Sequence, residues 1–215
     1  MRFLRVAAMG AILGAAAIAG VTHSQGSPSA QSPSTGVLTG AAPTAADANG
    51  GFVTIENQDE TMTMRVPAAW KDVSEGQWLY HGVEAGYYLT ASTNLADFQA
   101  GKSAPGVFMG VFANYTKRTV AALLDTEKLD VAKRCRFTGR KAYRDPFYVG
   151  YMDDYTNCVG GKQRSLVNVV QSGDGSTVVL RVNVASDADI AVANQIFASF
   201  QVLGNVNEHD HGHAD

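Results

Sequence analysis

The chain of 215 residues has only two cysteines, Cys135 and Cys158. A cysteine-based metal centre needs more ligands close by, so the sequence gives that chemistry no support. Histidine is equally scarce where a fold would be. Of five, only His81 lies between residues 51 and 203, so any serine or cysteine nucleophile there has a single histidine available as its base. Neither Gly-x-Ser-x-Gly nor Gly-Asp-Ser-Gly-Gly occurs, and Ser165 stands beside Arg164 with no recognisable base. His81 belongs to the aromatic run Trp78-Leu79-Tyr80-His81, where a structural or surface role is the plainer reading. A secreted hydrolase with a cryptic site near His81 is the enzymatic alternative to a non-catalytic chain.

An excess of positive charge is also missing. Seventeen Lys and Arg face twenty Asp and Glu, a formal charge of −3, which argues against a nucleic-acid binder driven by whole-domain charge. No apolar run reaches the roughly 20 residues of a bilayer span. The longest candidate, Val6 to Ile18, follows Arg2 and Arg5 and ends in Ala17-Ile18-Ala19. That order of charge, apolar stretch and small residues is a signal peptide over 1–19 with cleavage before Gly20, and an anchor left uncleaved is the alternative. The expected location is therefore secreted or extracytoplasmic, without stable membrane insertion after cleavage. Residues 20–50 are a Ser, Pro, Gly, Ala and Thr mixture with no periodicity. Such a segment buries too little apolar surface to offset its ordering entropy and reads as a flexible linker.

The folded body is expected over 51–203. Thr61 to Val66 alternates polar and apolar, the period of a strand with one buried face, and Pro67 ends it. Phe52 to Ile55 is its expected partner across a polar turn. Further strands are predicted at Trp78 to Val83, Tyr87 to Ala91 and Val107 to Ala113, with Ala85-Gly86 as a break between the first two. Arg134 to Phe137 and Tyr148 to Tyr155 follow, and Leu166 to Gln171 and Thr177 to Val184 flank the hairpin signal Gly173-Asp174-Gly175. Two helices are predicted. One starts at Thr119 and turns Val120, Leu123, Leu124 and Leu129 inward. The other begins at an Asp187 N-cap, with Ile190, Ala193, Ile196, Phe197 and Phe200 on one stripe. Strands outnumber helices and short turns join many of them, so the expected class is α+β: a mainly antiparallel sheet covered by about two helices.

In an oxidising compartment two cysteines most simply pair, here closing a loop worth about 3 kcal/mol in the chain-entropy account. A catalytic cysteine would instead require His81 as partner.

Several of these segments resemble a known family. The strand entering Val66-Pro67-Ala68-Ala69-Trp70 is similar to the opening of the PsbP-like fold shared with mycobacterial LpqN-type proteins. The closing hairpin around Gly173-Asp174-Gly175, then Asp187 and Ile196-Phe197-Ala198-Ser199-Phe200, resembles the end of those modules. The Cys135 to Cys158 stretch, with Tyr148, Gly150 and Tyr155 inside it, is similar to a disulfide-bearing version in secreted actinobacterial proteins. The resemblance covers about Phe52 to Val202 and implies an accessory or partner-binding module of the cell envelope, mostly non-enzymatic and without cofactor. The chain departs from LpqN-type lipoproteins in having no lipidation cysteine.

The remaining candidates are surfaces. Arg134, Arg136, Arg140 and Arg144 form a basic run in an acidic chain, with Tyr148, Tyr151 and Tyr155 close in sequence. Arginine and tyrosine dominate interface energetics, so the run is a candidate docking face for an acidic protein or an envelope polyanion. Set against that is a solvated strand whose charges are answered by Asp130, Asp145, Asp153 and Asp154. Asp153 and Asp154, as strand neighbours, point to opposite faces and are expected at a solvated hairpin edge. His209, His211 and His213 alternate along a tail over 204–215 and form a weak open metal-binding pattern, against a plain solubilising tail.

Overall fold

The computed structural model describes residues 51–112, 118–159 and 161–203. The expected leader, linker and histidine tail, with His209, His211 and His213, lie outside them.

The chain opens with a hairpin of β1 (Phe52–Glu56) and β2 (Met62–Pro67). Alternation in β2 sends Met62, Met64 and Val66 inward, each fully buried. A short closing strand, β10 (Gln201–Val202), pairs with the free side of β2 and completes a three-stranded sheet.

The larger sheet has seven strands: β3 (Asp72–Tyr80), β4 (Val83–Ser92), β5 (Gly106–Phe112), β6 (Arg136–Arg144), β7 (Tyr148–Cys158), β8 (Gln163–Ser172) and β9 (Thr177–Val184). Every neighbouring pair is antiparallel, in the order β3-β4-β5-β9-β8-β7-β6. Among the described residues three α-helices accompany it: α1 (Leu95–Gln99), α2 (Val120–Val131) and α3 (Ile190–Phe197).

Both faces of the middle of the large sheet are covered, so Ser165 to Val170 of β8 and Thr177 to Leu180 of β9 are buried at every position, polar residues included. On one face the β2 side chains and Ala193, Ile196 and Phe197 of α3 pack on Leu89, Met109, Leu166, Val178 and Leu180. On the other, Leu123, Leu124 and Val131 of α2 pack on Tyr155, Val167, Val169 and Val179. Leu123 and Leu124 are completely buried, so each contributes about 1.5–3 kcal/mol of transfer energy to holding the helix down.

The expected class, α+β on a mainly antiparallel sheet, holds, and Cys135 and Cys158 are joined as a disulfide. Four local expectations change. The chain reverses at His81-Gly82, with φ of 51° and 80°, and not at Ala85-Gly86; two positive φ values are what a two-residue turn between twisted strands requires. Leu129 is 69% exposed, because the inward face of α2 runs through Leu123, Leu124, Glu127 and Val131. Asp187 does not cap α3: it opens a 3-10 turn over Asp187–Asp189, and its carboxylate accepts from Arg164. Asp153 and Asp154 are buried, not solvated, for the reasons below.

Candidate functional site

Strand β6 is an edge of the seven-stranded sheet, so its residues decide what that edge presents. Its register with β7 sorts the basic run onto different faces. Phe137 lies opposite Tyr155, Arg140 opposite Asp153, Ala142 opposite Tyr151 and Arg144 opposite Val149, all on the α2 face. Lys141 and Tyr143 alternate with them and face the other way, where Tyr143 joins the α3 core. Arg136, opposite Thr156, reaches that residue's hydroxyl.

Arg140 is tied into the body. Its Nε and Nη2 donate to the two carboxylate oxygens of Asp153 at 2.6 and 2.9 Å, and Nη2 also lies 2.8 Å from Asp125 of α2. These bonds, that to Asp153 first, hold the guanidinium proton more tightly than usual. Tyr155 is fully buried; its hydroxyl donates to Asp153 at 3.2 Å and its ring meets Phe137 edge-on at 5.5 Å. Burial, then the Asp153 charge, pushes its phenol well above the ordinary value. Tyr148 is buried on the opposite side, stacked on Phe200 at 4.7 Å, and its hydroxyl accepts from the Val202 amide at 2.9 Å. Arg140, Tyr148 and Tyr155 therefore hold the fold, and the surface expected of them is not formed by these three. Asp154, the other member of the acidic pair, accepts from Arg164 on the α3 face, Nε lying 2.8 Å from Oδ1. Each buried aspartate has its own arginine, which is how a carboxylate remains in a core.

Two members of the expected set do come together. Tyr151 is 41% exposed and Arg144 is exposed, and both line a groove with Val120 of α2, Ala142, Val149 and Gln171. Twelve residues give α2 a length of about 18 Å, so it covers only part of its face of the sheet. Val149 and Tyr151, beside its first turn, are exposed. Ala142 is short, and the space above it is bounded by Tyr151 and Arg144. The groove measures about 320 Å³. No described acid pairs with Arg144 or Lys141. An uncompensated guanidinium beside a half-exposed phenol and valine can hold an anionic group and an apolar one side by side.

Arg134 lies at the other end of the α2 face, next to Cys135, and its guanidinium occupies the space above Gly101. His81 is exposed on its turn, its ring edge-on to Tyr80 at 4.4 Å. No described serine, cysteine or carboxylate makes a hydrogen bond to it. Among the described residues, no three His, Cys, Asp or Glu gather as a metal site would need, and no helix is long and apolar enough to cross a membrane.

The sequence reading missed the pairings that bury Asp153 and Asp154. It also missed Glu127, which is 6% exposed and accepts from Arg181 of β9 at 2.5 Å. An acid inside an apolar helical stripe was the available signal.

No protein-family model matches the chain, and no curated protein matches it. Among solved structures, the solution structure of cyanobacterial PsbP (CyanoP) from Synechocystis sp. PCC 6803 aligns with 75% of this chain and 98% of its own, at 12% identity and a TM-score of 0.44. A likeness of that depth transfers none of that protein's properties to this chain.

Proposed function

We propose that this chain is an exported, non-catalytic binding module that takes an acidic segment of a partner protein in the groove above Ala142. The observation that carries the reading is the juxtaposition of Arg144 and Tyr151, a cation without an acidic partner among the described residues beside an exposed aromatic, in a groove of about 320 Å³ at a sheet edge. Export is supported by the leader pattern of residues 1–19 and by a disulfide, which persists in oxidising compartments. The finer kinship, with LpqN-type envelope modules, rests on the sequence motifs alone. Lys141 and Arg136 extend the positive charge along the same edge. They also discourage pairing of β6 with a second copy of itself, since like charges would then crowd together.

The test uses a fluorescein-labelled oligoglutamate peptide and the purified chain. Binding is expected to weaken at least tenfold in Arg144→Ala and in Tyr151→Ala, and to stay unchanged in Lys162→Ala, which lies away from the groove. Equal binding by all four proteins overturns the reading. Binding of dextran sulfate but not of oligoglutamate would replace the acidic protein by an envelope polyanion.

A further inference from the structure

Next to the disulfide, on the α2 face, a second and much smaller pocket is lined by Gln163, Ser165, Arg181, Asn183, Arg134 and the two half-cystines. It measures about 20 Å³, room for one water-sized occupant or a little more. Three polar atoms among its lining residues are buried without a hydrogen-bond partner: Ser165 Oγ, Arg181 Nε and Asn183 Oδ1. Ser165 is itself only 3% exposed. Buried polar groups are almost always satisfied, so three orphans around one small space point to something bound there.

The chemistry of the lining selects its sign. The Arg181 Nε–H is a donor, the Ser165 hydroxyl has a proton to donate as well as lone pairs to accept with, and Asn183 Oδ1 is an acceptor. The charge of Arg181 is answered by Glu127 at 2.5 Å, whereas no described acid pairs with Arg134. The local balance is therefore one positive charge in excess. Arg134 is held over the pocket by the absence of a side chain at Gly101. A Cβ built there would stand 0.9 Å from Arg134 Nη1, and the φ of +67° suits glycine besides.

We propose that this pocket binds a small inorganic anion of halide size, held by Ser165, Arg181 and Arg134. The site is separate from the groove and does not depend on what the groove takes. It stitches β8 and β9 to the loop that carries the disulfide.

Thermal unfolding of the full chain is followed in sodium chloride and sodium bromide against sodium gluconate at matched ionic strength. Chloride and bromide are expected to raise the midpoint along a saturable curve that gluconate does not reproduce. Ser165→Val, which fills the space and removes the donor, is expected to abolish the saturable part. Gly101→Ala, which displaces Arg134 without altering any charge, is expected to weaken it about tenfold, the loss of one charge-assisted hydrogen bond. Chloride NMR line broadening by the wild-type chain, reversed by bromide, is the readout if either variant fails to fold. Identical responses in chloride and gluconate with no line broadening would mean that only a water occupies the pocket, and the proposal falls. An unchanged saturable response in folded Ser165→Val would overturn it equally.

Discussion

The Arg140 guanidinium grips the Asp153 carboxylate side-on, Nε to Oδ1 at 2.6 Å and Nη2 to Oδ2 at 2.9 Å, with Asp153 wholly buried. Removing the arginine strands a charge in the core. Arg140→Ala is expected to cost about 3 kcal/mol, the low end for a broken buried pair because Arg140 itself is about a quarter exposed. Arg144→Ala, with no described ion pair to lose, should stay within about 0.5 kcal/mol of wild type. Urea titration of the two variants checks the contrast. A near-zero effect for Arg140→Ala would show that the pair is solvated in solution.

Reading the strands from sequence worked where one residue type repeats at period two. Met62, Met64 and Val66 announce their buried face without help from the rest of the chain. The turn at His81-Gly82 was not legible because nothing in Tyr80-His81-Gly82-Val83 marks a left-handed histidine as Asn-Gly or Asp-Gly would mark the same turn. Strand β10 has two residues and α1 has five, too few to show a period.

The basic run was legible as composition but not as a surface. Which arginines face solvent depends on the β6–β7 register and on where α2 ends, and both are set by contacts distant in sequence. Asp153 finds Arg140 thirteen residues away across a hairpin, and Asp154 finds Arg164 ten residues away on the other side. Until the register is known, Arg140 and Arg144 look alike.

Cys135 and Cys158 stand 23 positions apart, and the loop they close spans most of β6 and β7. Replacing both cysteines by serine is expected to lower stability by about 3 kcal/mol through the freed unfolded chain. Guanidinium unfolding of the double variant gives the value. A loss below about 1 kcal/mol would show that the β6–β7 hairpin is held by its ladder and its ion pair alone.

Asn168 is buried completely with both amide atoms unpartnered, in register with Met152 on one side and Leu180 on the other. Leucine has nearly the same volume and no polar atoms to satisfy. Asn168→Leu is expected to raise stability by about 1–2 kcal/mol, read as a higher unfolding midpoint. A lower midpoint would mean that the amide has a partner in solution.

The buried phenols set an alkaline limit. Tyr80 is pushed up from 10.0 to about 12, by burial first and then by Glu127, and Tyr143 and Tyr155 are raised too, each by burial with a neighbouring aspartate. Below pH 10.0 neither the folded nor the unfolded chain loses these protons, so the stabilisation is complete. Above it the unfolded chain ionises first, and stability falls as pH rises through the Tyr80 value of about 12. Tyrosinate absorbance is expected to appear together with loss of circular dichroism. Tyr155→Phe should move that transition to higher pH while costing about 1 kcal/mol near neutrality, the hydrogen bond to Asp153. Tyrosinate signal from all eight tyrosines in a still-folded chain would contradict the burial.

The large sheet is knitted from two ribbons, β3-β4-β5 and β6-β7-β8-β9, each running back and forth between nearest neighbours and meeting only where β5 lies along β9. A second join, β10 on β2, ties the same two stretches of sequence again. Severing the backbone between Phe112 and Thr119 would separate the ribbons covalently while leaving each whole. Fragments 1–115 and 116–215, mixed on refolding from denaturant, are expected to dock along that shared border and so to assemble the protein from two polypeptides.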